Sequence, residues 1–559
     1  MTPGNGPPRT FPRWWRLPPP SILVGSLLLA VGAAGALADE SAQAKAVVVE
    51  ATVIDSQTRQ PLAARIYVQD AQGGWHFAAP GSSGGQTVPY RKERSPTSVE
   101  MHTAVSAHPF QLRLPPGTYT VTVERGKEYV PLRQKLEVPG RGGRWELPLR
   151  RWINAARYHW YSGDTHVHRP LTELPTAMLA DDVNVAFPLT YWVTRAHTPP
   201  DQGDKNSPPA KADVMSVDDT HVIYPLNTEY EIFSVAGRPH TLGAVFALNH
   251  RQVLGRGVPP VRPIAEQVHR EGGFLELDKH NWPWSMMLVP VMSVDLFELA
   301  NNHHWRTEFL FRDFGEPAAE YMKIERDERG FTEAGWTEFG LQNYYALLDC
   351  GLRLRPTAGT ASGVHPVPLG FGRVYVQLPS GFSYDAWCQG LLAGRSFVTT
   401  GPLLFLQVND APPGHTFQQG RGAVKYRVAG TAHSLHPLTR LEIISAGEVV
   451  KTIQPLNTPQ TEGGFLSAFD VELEIFRSTW LAVRCDERTD EGRLRFAHSS
   501  PVHIEVTGRP LRPRRVEVEY LAGRVRAELQ RHQDVLDPAA LAEYHEALEF
   551  YEKLSEQAR

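Results

Sequence analysis

Asp164, His166 and His168 alternate along Gly163-Asp-Thr-His-Val-His168. On an extended strand successive side chains point to opposite faces, so these three share one face and Val167 takes the other. Two imidazoles at that spacing can hold one cation or bridge a pair. A neighbouring carboxylate can ligate the ion or orient a ring. The spacing alone carries little weight, because 22 histidines in 559 residues give about one His-x-His by chance. Context adds to it. The motif follows an aromatic strand entry, Tyr158-His-Trp-Tyr161, and opens a region where strands and helices alternate.

Further candidates lie downstream. Glu231 sits in Glu229-Tyr-Glu-Ile-Phe233, and His240 follows before an apolar run. Phe274-Leu-Glu-Leu-Asp-Lys-His280 places Glu276, Asp278 and His280 on one strand face and Lys279 on the other. Asp295-Leu-Phe-Glu-Leu-Ala-Asn-Asn-His-His304 ends a strand in amides and imidazoles, with His303 placed to reach a site at the rim. Polar residues at strand ends of an α/β barrel read as active site. A cation held by such groups would lower the pKa of a bound water toward neutrality. Asp182 or Lys279 is the expected proton-handling or oxyanion-stabilising group. Trp192, Trp282, Trp284 and Trp305 can line a ligand cleft or serve as core.

The positioning elements read as several domains, since 559 residues exceed one hydrophobic core. Residues 45–150 read as a β-sandwich: a β-branched run over Ala46–Asp55, then alternating strands at Ala64–Gln69 and Gly117–Val123. Residues 155–400 read as an α/β domain, with helices expected over Val261–Glu271, Thr307–Ile324 and Thr332–Cys350 and a polar surface insert at His197–Val214. Residues 401–510 return to β-sandwich spacing. Residues 511–559 read as a helical tail, the second helix opened by Asp537-Pro538.

The first 38 residues read as a secretory signal: Arg9, Arg13 and Arg16, an apolar run over Ile22–Ala38, and Ala36-Leu-Ala38 before the cut. An exported protein, periplasmic or extracellular, is expected, with no later membrane span. Three cysteines cannot build a disulfide framework, and without a CxxC pair they do not suggest a cysteine zinc site. A net charge of -4 with no clustered Lys/Arg face argues against nucleic-acid binding.

Two resemblances add to this reading. Val53-Ile-Asp55, Pro61-Leu-Ala-Ala-Arg-Ile66 and Leu114-Pro-Pro-Gly-Thr-Tyr119 resemble carboxypeptidase regulatory-like modules, which are non-catalytic β-sandwiches. Gly163–His168 resembles the first motif of PHP-domain metallohydrolases, particularly the exported branch of the CehA/McbA type. The order of segments agrees through Leu391–Pro402. This second resemblance implies a distorted β/α barrel, divalent ions, and hydrolysis of an ester or phosphoester on a small-molecule or glycan-linked substrate. It carries a metal role onto His166, His168, Glu231, His240 and His280. The chain departs from the pattern at Leu189–Trp192, which lacks an Asp-His pair, and at Gly359–Gly363, where Ala361 and Gly363 replace an aspartate and a histidine. The expected cofactor is therefore one or two ions of zinc, manganese or iron rather than three, with Asp182, His303 or His365 as substitutes for the missing ligands. The rival reading is a degenerate, non-catalytic barrel that serves as a binding or scaffold protein.

Overall fold

Hydrophobic alternation in the N-terminal region becomes strands. In Gly117–Glu124 the buried positions are Tyr119, Val121 and Val123, every second residue. The computed structural model describes residues 46–203, 209–305, 318–328 and 330–559. The expected signal segment lies outside the described residues, as do the middle of the polar insert and most of the helix expected over Thr307–Ile324. The described end of that stretch, 318–324, is not helical.

The described residues form a mostly β protein of several sheets with seven α-helices among them. Near the N-terminus a five-stranded and a six-stranded sheet share one core, which includes Val49, Val53, Ile66, Val121 and Leu147. Each such fully buried aliphatic side chain contributes roughly 1.5–3 kcal/mol. The hairpin Thr87–Ser95 and Ser98–Val105 belongs to this region. It also reaches the central one: the Tyr90 hydroxyl donates to the His365 carbonyl and accepts from the Gly363 N–H at 2.7 Å.

The central region contains a six-stranded sheet in the order Tyr191–Arg195, Thr228–Val235, Arg238–Leu248, Phe274–Leu277, Leu296–Ala300, Arg355–Ala358. It is not a strict strand–helix alternation. Arg238–Leu248 runs antiparallel to both neighbours, and the other pairs are parallel. The reason is local. Ala236 and Gly237 both take positive φ, 49° and 74°, as a two-residue hairpin turn needs.

Trp160–Val167 belongs to a second, twelve-stranded sheet. It pairs parallel with Val185–Pro188 and antiparallel with Arg373–Gln377. Its far end also meets the segment that follows Arg355–Ala358. Ala361 N–H donates to the His166 carbonyl at 2.7 Å, and His168 N–H donates to the Ser362 carbonyl at 2.7 Å. The His-x-His strand end therefore lies at the seam between the two sheets. The twelve-stranded sheet continues from Ser396–Thr399 to Leu494–Ser499, so backbone pairing crosses the boundary expected at residue 400.

The tail is two helices, Arg515–His532 and Pro538–Gln557. Asp537 caps the second, its carboxylate accepting from Ala540 N–H at 2.8 Å, with Pro538 in the first turn. Val518, Leu521, Val525, Tyr544 and Tyr551 are buried in the central core. Among the described residues no helix is long and apolar enough to cross a membrane. Cys350, Cys388 and Cys485 are buried as separate thiols.

Candidate metal centre

Four strands of the central region converge on one buried cluster. The Trp160–Val167 strand and the residue after it supply His166 and His168. Thr228–Val235 supplies Glu229 and Glu231, which alternate onto one face. Asp278 and Lys279 follow Phe274–Leu277 directly, and Glu298 lies in Leu296–Ala300. Among the described residues three groups are close enough to hold a cation: His166 with His168 and Glu229; His166 with Asp278 and Glu298; Glu229 with Glu231 and Asp278.

The first group has the spacing of a small coordination shell. His166 Nε2 lies 3.2 Å from His168 Nε2, which lies 3.3 Å from Glu229 Oε2. A tetrahedral ion with ligand bonds near 2.0–2.1 Å holds its ligand atoms about 3.3 Å apart. The donor set, two imidazoles and a carboxylate, suits zinc, manganese or iron. The other nitrogen of His166, Nδ1, is 2.9 Å from Glu298 Oε1. That contact fixes the ring and leaves Nε2 facing the cluster.

The electrostatics are those of crowded, dry carboxylates. Asp278 and Glu298 are fully buried, and Glu229 is 1% exposed. Burial and the neighbouring Asp278 push Glu298 well above the ordinary carboxyl range. Burial also works to raise Asp278, but Lys279 and His166 outweigh it and hold its pKa down. Lys279 is 5% exposed and pairs with Asp278. Burial disfavours its charge, but Asp278, Glu298, Glu231 and Glu229 reverse that and raise its pKa. The cluster packs against Phe246, whose ring centroid is 4.5 Å from that of His166, and Trp192, 6.1 Å from that of His168.

The residues expected from the sequence separate in the fold. His166, His168, Glu231 and Lys279 come together. His303 is buried near them, its ring 5.5 Å from Trp336 and 6.3 Å from His365. Burial, then Lys279 and His365, hold His303 well below the usual imidazole range.

Four of the expected residues lie outside the three groups. Asp164 is not among the cation-holding groups. Its Oδ2 accepts from the Thr360 hydroxyl at 2.6 Å and Gly370 N–H at 2.9 Å, so it staples the loop after Arg355–Ala358. Burial pushes its pKa up to about 6. Asp182, at the left-handed end of the helix Leu174–Asp181, is bound to Arg125 at 2.6 Å and Arg151 at 3.0 Å. It is a structural anion with no contact to the cluster. His240 faces the tail, 2.7 Å from His532 Nδ1, because the antiparallel hairpin carries it away from Glu231. His280 sits in an aromatic box of Phe297, Trp336 and Phe339, where burial and then Arg524 lower its pKa to about 3.

Glu229 escaped the sequence reading, although its spacing of two from Glu231 marks the same face. Asp278 was visible as a strand-end acid but not as a partner of His166, and Glu298, inside its strand, was not singled out. Only the sheet order brings them there. Trp284 is buried core, Trp192 flanks His168, and the buried Trp282 ring centroid lies 5.5 Å from the Lys279 ammonium. No protein-family model matches the chain, and no curated protein matches it either.

Proposed function

We propose that this chain is an exported, PHP-like metal-dependent hydrolase that cleaves an ester or phosphoester on a small-molecule or glycan-linked substrate. The observation that carries the reading is the spacing of His166 Nε2, His168 Nε2 and Glu229 Oε2, which matches the ligand separations of one small cation. A bound zinc, manganese or iron ion supplies Lewis acidity and lowers the pKa of water toward neutrality. His166, His168 and Glu229 hold that ion, and Glu298 keeps His166 in the ligating tautomer. Glu231, the half-buried member of the cluster, is placed to take a proton from the attacking water. The Lys279 ammonium offsets charge that builds on the substrate oxygen. Phe246 and Trp192 exclude bulk water from one side, which strengthens each of these interactions.

The test is a panel of aryl esters, carbamates and phosphoesters presented to metal-loaded and chelator-stripped protein. Turnover that depends on the metal and is lost in His168→Ala supports the reading; turnover unaffected by stripping contradicts it. A non-catalytic binding or scaffold role is the second reading. It is favoured by Ala361 and Gly363, which abut His166 and His168 without offering a ligand atom. Full metal loading with no turnover across the panel, together with binding in a glycan screen, selects it.

A further inference from the structure

We infer that Lys279 is a built-in counter-cation that fills a second cation position, so the centre holds one metal ion and not two. The inference rests on the proposed metal centre and concerns how many ions that centre takes.

Two of the three cation-holding groups share Asp278, and both are rich in carboxylates: Asp278 with Glu298 and His166, and Asp278 with Glu229 and Glu231. Four carboxylates thus crowd together, three of them buried and Glu231 half-buried, and such charges need compensation. The ion at His166, His168 and Glu229 lies at one end of this space. The other end already contains a cation. The Lys279 ammonium contacts Asp278 directly, and its side chain is 6% exposed. A lysine buried this deeply is kept charged only by anions around it. Asp278 belongs to both of these groups, so Lys279 holds the one carboxylate that a second ion could not do without.

His166 points the same way. Its Nε2 faces His168 and Glu229, and its Nδ1 is 2.9 Å from Glu298. With Nε2 turned to the first ion, Nδ1 is the ring's remaining nitrogen, and its contact with Glu298 already occupies it. The group of His166, Asp278 and Glu298 therefore loses its only nitrogen ligand, and Lys279 takes the charge-balancing role.

The experiment compares bound metal per chain, by elemental analysis after saturation with Zn(II) and with Mn(II), in the wild type, Lys279→Met and Lys279→Arg. The expected result is one ion in the wild type and in Lys279→Arg, and two in Lys279→Met, whose thermal midpoint should rise more on metal addition than that of the wild type. One ion in Lys279→Met, or two in the wild type, overturns the inference while leaving the metal centre standing. No ion in any of the three overturns the metal centre itself. Should Lys279→Met fail to fold, the Mn(II) electron paramagnetic resonance spectrum of the wild type decides. An isolated-ion signal is expected, and the signature of an exchange-coupled pair refutes it.

Discussion

Replacing Glu298 separates affinity from stability in a way that few positions here can. Its Oε1 lies 2.9 Å from His166 Nδ1, both side chains being buried, and so sets which nitrogen of His166 faces the cation. Removing a carboxylate that orients a metal-binding histidine typically costs 10–100-fold in metal affinity, or about 1.4–2.8 kcal/mol. Glu298→Leu should fall in that range. Glu298→Gln keeps an acceptor oxygen and should lose about tenfold or less. Stability should move differently. Burial and then Asp278 drive the pKa of Glu298 well up; an apolar replacement removes a buried group that is costly to ionise, so the thermal midpoint of the metal-free protein should hold or rise. The assay is competition against a chromophoric chelator at pH 7.5, beside thermal unfolding of the stripped protein. Wild-type affinity in Glu298→Leu would refute the orienting role. Equal losses in the Leu and Gln variants would show that charge, and not ring orientation, is what Glu298 provides.

Three further outcomes follow from the same geometry. A Cβ at Gly359 would collide with His166 Cβ and Glu298 Oε1, so Gly359→Ala should cost about 1–3 kcal/mol in urea unfolding and weaken metal binding together; an unchanged midpoint and affinity contradicts the packing described. Tyr90→Phe removes the contacts to Gly363 N–H and the His365 carbonyl; faster hydrogen exchange at Gly363 is expected, with about 1–3 kcal/mol lost, and wild-type protection there would show the hairpin does not hold that loop. Burial lowers His102 and His250 to about 4 and His498 to about 3. Their folded pKa values lie below the unfolded value near 6.5, so the unfolded chain binds more protons in between. Stability is complete above about pH 6.5 and falls toward pH 4, at up to about 1.4 kcal/mol per pH unit for each group; a urea midpoint that stays flat from pH 7 to 4.5 contradicts this.

What the sequence revealed was local. The β-branched runs, the alternation in Gly117–Glu124 and the Asp537-Pro538 cap are short-range signals, and the corresponding elements form. His166 and His168 were visible because strand period places them on one face. Asp164 obeys the same period, yet its carboxylate is claimed by Thr360 and Gly370, some two hundred residues along the chain. That competition has no signature in the motif. His240 lies apart from Glu231 because a hairpin reverses the chain between them, and the tail helix then offers His532. Asp182 and His280 show the same limit: a titratable side chain near a motif can serve an arginine pair or an aromatic box. Glu298 and Asp278 became partners of His166 only through sheet order, which depends on contacts far apart in sequence.

The most direct test of the central claim is the metal content of the purified protein beside His166→Ala/His168→Ala, each equilibrated with zinc, manganese and iron and then desalted. The account predicts stoichiometric metal in the wild type and its loss in the variant, with both chains folded by circular dichroism. Metal retained by the folded variant, or none bound by the wild type, would contradict a centre built on His166, His168 and Glu229.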